Sequence, residues 1–341
     1  MSILAALEEQ SVLFPVTGPG ASTATRVTAR DISVVICAYT EKRWEQLCEA
    51  VESVIRAGAS DVIVVIDHNP GLLARATDRF AAASVLENTY PPGLSGARNS
   101  GVERAQGGVI AFIDDDAVAT PGWLEELADG YASDSTMAVG GHIKPLWQDD
   151  TRPSWFPQEF DWVVGCSYRG LPSQSAPVRN LIGCNMSFRR SVFEDVGGFV
   201  SGIGRIGAVP VGCEETEFCI RATRQRPDQE ILYRPSARVW HLVEASRESV
   251  RYFLSRCFAE GRSKAQVTAA AGLHQGLSSE RTYVSRTLPA GVMAGWRDVL
   301  HGDAWGAARS GAIIAGLAVT AVGYLKGRVV DRPGHAVPAG V

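Results

Sequence analysis

From residue 32 onward the spacing of apolar residues switches back and forth between two periods. Ile32–Ala38 is a short β-branched apolar run, which predicts a buried strand. Over 41–57, Trp44, Leu47, Cys48, Val51, Val54 and Ile55 recur along one helical face, and Gly58 follows where a left-handed cap belongs. Asp61–Ile66 predicts a second buried strand, 72–82 a helix, 84–86 a strand, 95–106 a helix stopped by Gly107 and Gly108, and 109–113 a fourth strand. Thr120 and Pro121 predict a helix start, with Thr120 as cap and Pro121 at the first helical position. Further along, the pattern predicts strands at 137–141, 185–188 and 237–241. It predicts helices at 214–224, 246–270 and much of 290–330. Residues 142–182, rich in Pro, Trp, Gly and Ser, read as a loop-rich cover. Residues 1–30 form an extension and 331–341 a tail.

Alternating strands and helices predict an α/β fold, a mostly parallel sheet flanked by helices. Ligands of such sheets gather at the carboxyl ends of the strands. The polar groups 39–41, 67–69 and 114–116 punctuate those ends.

Composition narrows the class. A chain of 341 residues with 45% hydrophobic and 21% charged residues can bury a sizeable core and is neither disordered nor a membrane bundle. Seven scattered cysteines without a Cys-x-x-Cys argue against a zinc site or a disulfide framework and for a reducing, cytoplasmic setting. Residues 1–16 carry Glu8 and Glu9 and no basic segment, so they do not read as an export signal. The longest apolar stretch, 311–325, is bounded by Arg309, Lys326 and Arg328 and falls short of a spanning length. Residues 1–245 hold 21 Lys and Arg against 31 Asp and Glu, a net of −10; residues 246–330 hold 11 against 5, a net of +6. No nucleic-acid partner is expected. The basic helical segment suits peripheral contact with the inner face of the cell membrane, a homo-oligomer contact, or packing on the acidic body.

Asp114, Asp115 and Asp116 carry the chemistry. In extended backbone Asp114 and Asp116 share a face. Adjacent carboxylates repel unless a cation or hydrogen-bond donors offset them. Mg²⁺ and Mn²⁺ favour such oxygens together with substrate phosphates. The bland alternative is a solvated acidic turn; the position after a fourth buried strand weighs against it. Trp147, Trp155, Phe156 and Trp162 suit either stacking on a sugar acceptor or the core of a lid. The first strand lacks Gly-x-Gly-x-x-Gly, which argues against a nicotinamide enzyme. Residues 37–40 are not the Gly-rich basic loop of a nucleotidyltransferase, which stays as an alternative beside a non-catalytic nucleotide-sugar binding module.

Four segments in order, Ile32-Ser-Val-Val-Ile-Cys-Ala-Tyr-Thr-Glu41, Val64-Val-Ile-Asp67, Gly96-Ala-Arg98-Asn99-Ser-Gly101 and Phe112-Ile-Asp-Asp-Asp116, resemble the family 2 glycosyltransferases of the GT-A fold. So do Gly183-Cys-Asn185-Met-Ser-Phe-Arg-Arg190, Val196-Gly-Gly-Phe199 and Cys213-Glu-Glu215-Thr-Glu217 with Arg221. The resemblance covers 31–245. It implies a Rossmann-like nucleotide-binding half at 31–140 and an acceptor-binding half at 141–245, and the helical segment read from the pattern follows at 246–330. It implies an inverting, non-processive enzyme that moves one sugar from a nucleoside-diphosphate sugar, UDP-sugar foremost, to a hydroxyl on a cell-envelope lipid or glycan. By the same resemblance Ala38, Tyr39, Glu41, Asp67, Arg98, Asp114 and Asp115 line the nucleotide-sugar pocket, with Asp67 reading the base and Asp114 the ribose. Asp116 and His241 hold a divalent metal, Mg²⁺ or Mn²⁺; a histidine satisfied at a strand end is the rival reading of His241. Glu215 is the general base, one methylene longer than the aspartate common in the family, and Trp155, Asn185 and Glu214 stand on the acceptor side. Residues 66–70, Ile-Asp-His-Asn-Pro, depart from the commoner acidic–Gly–Ser ending, and the Gln-x-x-Arg-Trp of processive synthases is absent.

Overall fold

The computed structural model describes residues 26–200, 214–271 and 281–330. Cys213 and both expected terminal segments, 1–25 and 331–341, lie outside the described residues. Nine strands form one sheet: β1 (Ile32–Ala38), β2 (Asp61–Ile66), β3 (Ser84–Glu87), β4 (Val109–Asp114), β5 (Ala117–Ala119), β6 (Thr136–Trp147), β7 (Ala176–Pro177), β8 (Asn185–Arg189) and β9 (Glu230–Val243). The order is β3-β2-β1-β4-β8-β6-β9-β5, with β7 on β9. The first four strands pair in parallel, as the alternation predicts. Beyond β4 the sheet is mixed: β8 runs antiparallel to both β4 and β6, β6 is parallel to β9, and β5 is antiparallel to β9. Because β8 lies between β4 and β6, the two expected halves share one sheet, and their expected boundary at 140–141 falls inside β6.

Nine α-helices flank the sheet among the described residues: α1 (Trp44–Arg56), α2 (Pro70–Arg79), α3 (Leu94–Arg104), α4 (Trp123–Gly130), α5 (Arg190–Val196), α6 (Glu214–Gln225), α7 (Val250–Ala271), α8 (Leu288–Leu300) and α9 (Trp305–Val330). Alternate residues of the central strands feed opposite faces. Val34, Ile36, Val64, Ile66, Ala111 and Ile113 pack with α1 and α2 on one side. Val35, Ile63, Val65, Ile110 and Phe112 pack with α3, α5 and α6 on the other. Each Val, Ile or Phe side chain so removed from water contributes about 1.5–3 kcal/mol.

Three local expectations are corrected. Thr120 does not cap a helix: its hydroxyl donates to the Arg238 carbonyl, and α4 starts after Gly122, held at φ +77°. The cover over 142–182 is more ordered than its composition suggests, because β6 runs on to Trp147 and a 3₁₀ segment spans Gln158–Val164. The apolar stretch near the end belongs to a 26-residue helix, α9; its Trp305–Val329 portion, with an 18-residue window of mean hydropathy 1.4, is long and apolar enough to cross a membrane. Aromatic contacts tie the C-terminal helices to the body: Phe253 of α7 packs against Trp155, Phe156 and Phe160 at ring separations of 5.5, 5.5 and 5.1 Å.

Candidate active site

Strand order reverses between β1 and β4, so the loops after them open a crevice at their carboxyl ends. Register puts Cys37 beside Asp114 and Ala38 beside Ile66, and the Asp67 amide donates 2.8 Å to the Ala38 carbonyl. Ala38, Tyr39, Asp67 and Asp114 therefore line one wall. The Asp67 carboxylate accepts from Asn88 Nδ2 at 2.7 Å and from the Gly93 amide at 2.9 Å, and its Oδ1 lies 2.8 Å from His68 Nδ1. These partners aim it into the crevice. His68 sits at φ +49°, a conformation non-glycine residues seldom adopt and that tends to mark functional turns.

Of the three carboxylates of 114–116, Asp114 turns toward Arg98 while Asp115 and Asp116 share Arg43. Asp114 is half-buried, with Arg98 Nη2 3.7 Å away. Asp115 is buried, 3.0 Å from Arg43 Nη2. Asp116 is also buried and meets His241 Nε2 at 3.1 Å, Arg247 Nη2 at 3.3 Å and Arg43 Nη1 at 3.4 Å. Burial opposes the charge on Asp116, but His241, Arg247 and Arg43 together hold its carboxyl well below the usual range. Asp115 is pushed up to about 8, first by burial and then by Asp116 and Asp114, against the pull of Arg43. Ligand atoms of Asp114, Cys184 and His241 all lie within 4.8 Å of one another. Asp114 and His241 supply a carboxylate oxygen and an imidazole nitrogen suited to a divalent cation, and the third group is the Cys184 thiol, which burial pushes well above its ordinary range and so keeps in the protonated, weakly ligating form.

Arg98 reaches the site because α3 lies tight against β1. A Cβ on Gly101 would sit 2.4 Å from Val35 Cγ1. The buried guanidinium of Arg98, 2% exposed, donates to Glu214 Oε1 at 2.7 Å and to the Gly183 carbonyl at 3.3 Å. Glu214 and Glu215 open α6, and both line the crevice. Burial, and then the Glu214 charge, push the Glu215 carboxyl up to about 8 against the opposing Arg98. A carboxyl poised near neutral pH suits proton transfer.

The crevice is one cavity of about 1190 Å³. It brings together Ala38, Tyr39, Asp67, Arg98, Asp114, Asp115, Asp116, Glu214, Glu215 and His241. Three expected residues stand elsewhere. Glu41 is exposed and leans over the first turn of α2 beside Gly71. Trp155 packs on Phe156 and Phe253. Asn185 is buried at the junction of strands, accepting from Trp123 Nε1 and donating to the His142 and Ala237 carbonyls, so its amide is committed to the sheet. Arg43, Arg247 and Cys184 line the cavity and were missed. Arg43 lies in a short polar run that reads as solvated surface, and nothing local to Arg247 or Cys184 signals their distant partners.

The model of glycosyl transferase family 2 matches residues 33–197. The glucosyl-dolichyl phosphate glucuronosyltransferase of Haloferax volcanii is 38% identical over 239 residues, which are 68% of this chain and 76% of that enzyme. The human polypeptide N-acetylgalactosaminyltransferase 15 is 27% identical over 237 residues, 62% of this chain, and the chain spans only 36% of that enzyme's length. A mannosyltransferase from Pyrobaculum calidifontis, solved with GDP-Man and Mn²⁺, superposes with a TM-score of 0.51 at 14% identity, covering 87% of this chain and 89% of that one. That superposition supports the architecture described above.

Proposed function

The chain belongs to the family 2 glycosyltransferases, and from that premise we propose that it moves one sugar from a nucleoside-diphosphate sugar, UDP-sugar first, to an acceptor hydroxyl on a cell-envelope lipid or glycan, with inversion. One observation carries the reading: Asp67, Asp114, Asp115, Asp116 and Glu215 line a single cavity. Asp67 and Asp114 offer acceptors to the base and ribose hydroxyls. Asp116 and His241, with Asp114, are the residues that would hold Mg²⁺ or Mn²⁺, and the bound ion would supply positive charge to the leaving diphosphate. Ionised Glu215 takes the proton of the acceptor hydroxyl as its oxygen attacks the anomeric carbon from the face opposite the diphosphate. The bond to the diphosphate breaks in the same step, and its electron pair leaves on the diphosphate oxygen. Arg98 holds Glu214, and through the shared start of α6 it keeps Glu215 beside the cavity. The name of the Haloferax relative supports a lipid-linked acceptor. The basic charge of 246–330 supports peripheral placement at the inner face of the membrane.

The test measures nucleoside-diphosphate release from a panel of nucleotide sugars with Mg²⁺ or Mn²⁺. Metal-dependent release from at least one donor is expected. Failure of every donor both to bind and to turn over would sink the reading.

A further inference from the structure

Among the described residues, the large exposed apolar side chains crowd onto the last two helices. The outward face of α9 runs Gly311, Ile314, Ala318, Val322, Leu325 and Val329, at the three- and four-residue spacing of one ridge. Ile314, Val322, Leu325 and Val329 are 58, 57, 62 and 76% exposed. No charged residue falls between Arg309 and Lys326. A surface helix ordinarily turns its polar residues outward. Here the outward ridge stays apolar for about 27 Å, at the usual rise per residue. The neighbouring α8 touches α9 closely, since a Cβ on Gly295 would lie 2.5 Å from the Gly306 carbonyl oxygen, and it exposes Met293, Trp296 and Leu300. An apolar face of this extent marks a surface that another apolar body covers.

Charge decides what covers it. Over 281–330, Arg281, Arg286, Arg297, Lys326 and Arg328 are exposed, while both carboxylates, Asp298 and Asp303, are ion-paired with Arg309. A second copy docking by the same face would bring two cationic rims together. An anionic lipid surface offers the opposite charge. Trp296 and Trp305, both more than half exposed, are the kind of side chain that settles at such an interface.

Packing decides the orientation. The inward side of α9 is committed to α7: Gly316 meets Phe253, a Cβ on Gly323 would lie 2.2 Å from the Phe258 carbonyl oxygen, and one on Gly327 would lie 2.8 Å from Ala265 Cβ. The two helices therefore run side by side in the same direction. Were α9 to cross a bilayer, α7 would be drawn in with Arg256, Glu260, Arg262 and Lys264, which hydrocarbon strongly disfavours.

Deepening the peripheral placement proposed above, on which it rests, we propose that α8 and α9 form a one-sided membrane anchor. α9 lies in the plane of an anionic leaflet, with its 311–329 ridge sunk just below the headgroups, and does not cross the bilayer. The exposed arginines and Lys326 stand at headgroup level.

Vesicles of phosphatidylcholine, with and without phosphatidylglycerol, test this on the full chain. The anionic vesicles are expected to bind at least tenfold more tightly than the neutral ones. Part of that binding should survive about 1 M salt, where the screening length falls to about 3 Å. Ile314→Glu combined with Val322→Glu charges the ridge at two positions that do not line the cavity. The pair should weaken binding at least tenfold at an unchanged urea midpoint; unchanged binding overturns the ridge. Ala318→Trp adds a reporter at the middle of the ridge. Its added emission should be quenched by acyl chains brominated near the headgroups and not by chains brominated at their ends. Quenching by the chain ends alone means a spanning helix and overturns the in-plane anchor. Binding that salt abolishes completely, with no quenching by either lipid, overturns the inserted ridge and leaves the charge-based placement standing. No binding to either vesicle overturns both. A stable dimer in sedimentation that takes up no vesicles assigns the face to a second copy and also overturns the anchor.

Discussion

At the scale of single residues, the site rests on charges held out of water. Glu215 is the clearest case, because burial and Glu214 raise its carboxyl to about 8. A base must be ionised, so the sign follows: transfer should climb as pH rises through the neutral range and level off above about 8. The protonated form is the one burial favours, so Glu215 contributes to folding below the ordinary carboxylate range and that contribution is lost as pH approaches 8. A kcat–pH profile checks the catalytic half, and Glu214→Gln should move the rising limb to lower pH by removing the adjacent charge. Glu215→Gln should lower transfer about 10²–10⁴-fold while donor affinity stays within a few-fold; normal transfer in this variant would remove Glu215 as the base. Asp116 anchors His241, Arg247 and Arg43. Asp116→Asn should abolish metal-dependent donor binding, measured by calorimetry with and without Mn²⁺. These roles were readable in part. The acidic triplet and Glu215 stand in ordered motifs, but Arg43 and Arg247 lie 73 and 131 positions from Asp116, and no local pattern links them.

At the scale of elements, the pattern of apolar residues worked where an element buries a regular face. The runs at 32–38, 61–66 and 109–113 correspond to β1, β2 and β4 because they are apolar on both sides, as central parallel strands must be. It underestimated β6 and β9: His142, Lys144 and Pro145 of β6 are held by pairing with Arg238, Trp240 and His241 of β9, and Pro235 and Ser236 fall in a bulge between the two paired stretches. The C-terminal helices show the same dependence on partners. A Cβ on Gly323 would lie 2.2 Å from the Phe258 carbonyl oxygen, and one on Gly261 would lie 2.1 Å from that of Thr320, so α7 and α9 touch backbone to backbone. Gly323→Leu must push them apart. A loss of about 1–3 kcal/mol or more is expected, read as a lower urea midpoint at unchanged slope.

At the scale of the whole molecule, one mixed sheet carries the carboxylates of the site, and the helical segment lines the same cavity. A ligand that fills it joins parts distant in sequence, so it should stabilise the fold as a unit. With a nucleotide sugar at a hundred times its dissociation constant, a gain of about 2.7 kcal/mol is expected. Thermal unfolding with donor and Mn²⁺, against each alone, checks this.

What the amino-acid order determined by itself is what short-range periodicity can encode. That covers β1 to β4 as parallel strands, though not their order in the sheet, the polar groups at their ends, and the helical nature of 246–330. Each follows from which residues a strand or helix must bury, and neighbours in sequence suffice to state it. Tertiary structure alone decided that β8 reverses direction beside β4, that Asn185 and Trp155 serve the core, that Arg43 and Arg247 neutralise the triplet, and that α7 and α9 wall part of the cavity. Those outcomes depend on pairing between distant segments, where a buried charge takes whichever partner the fold brings within about 4 Å.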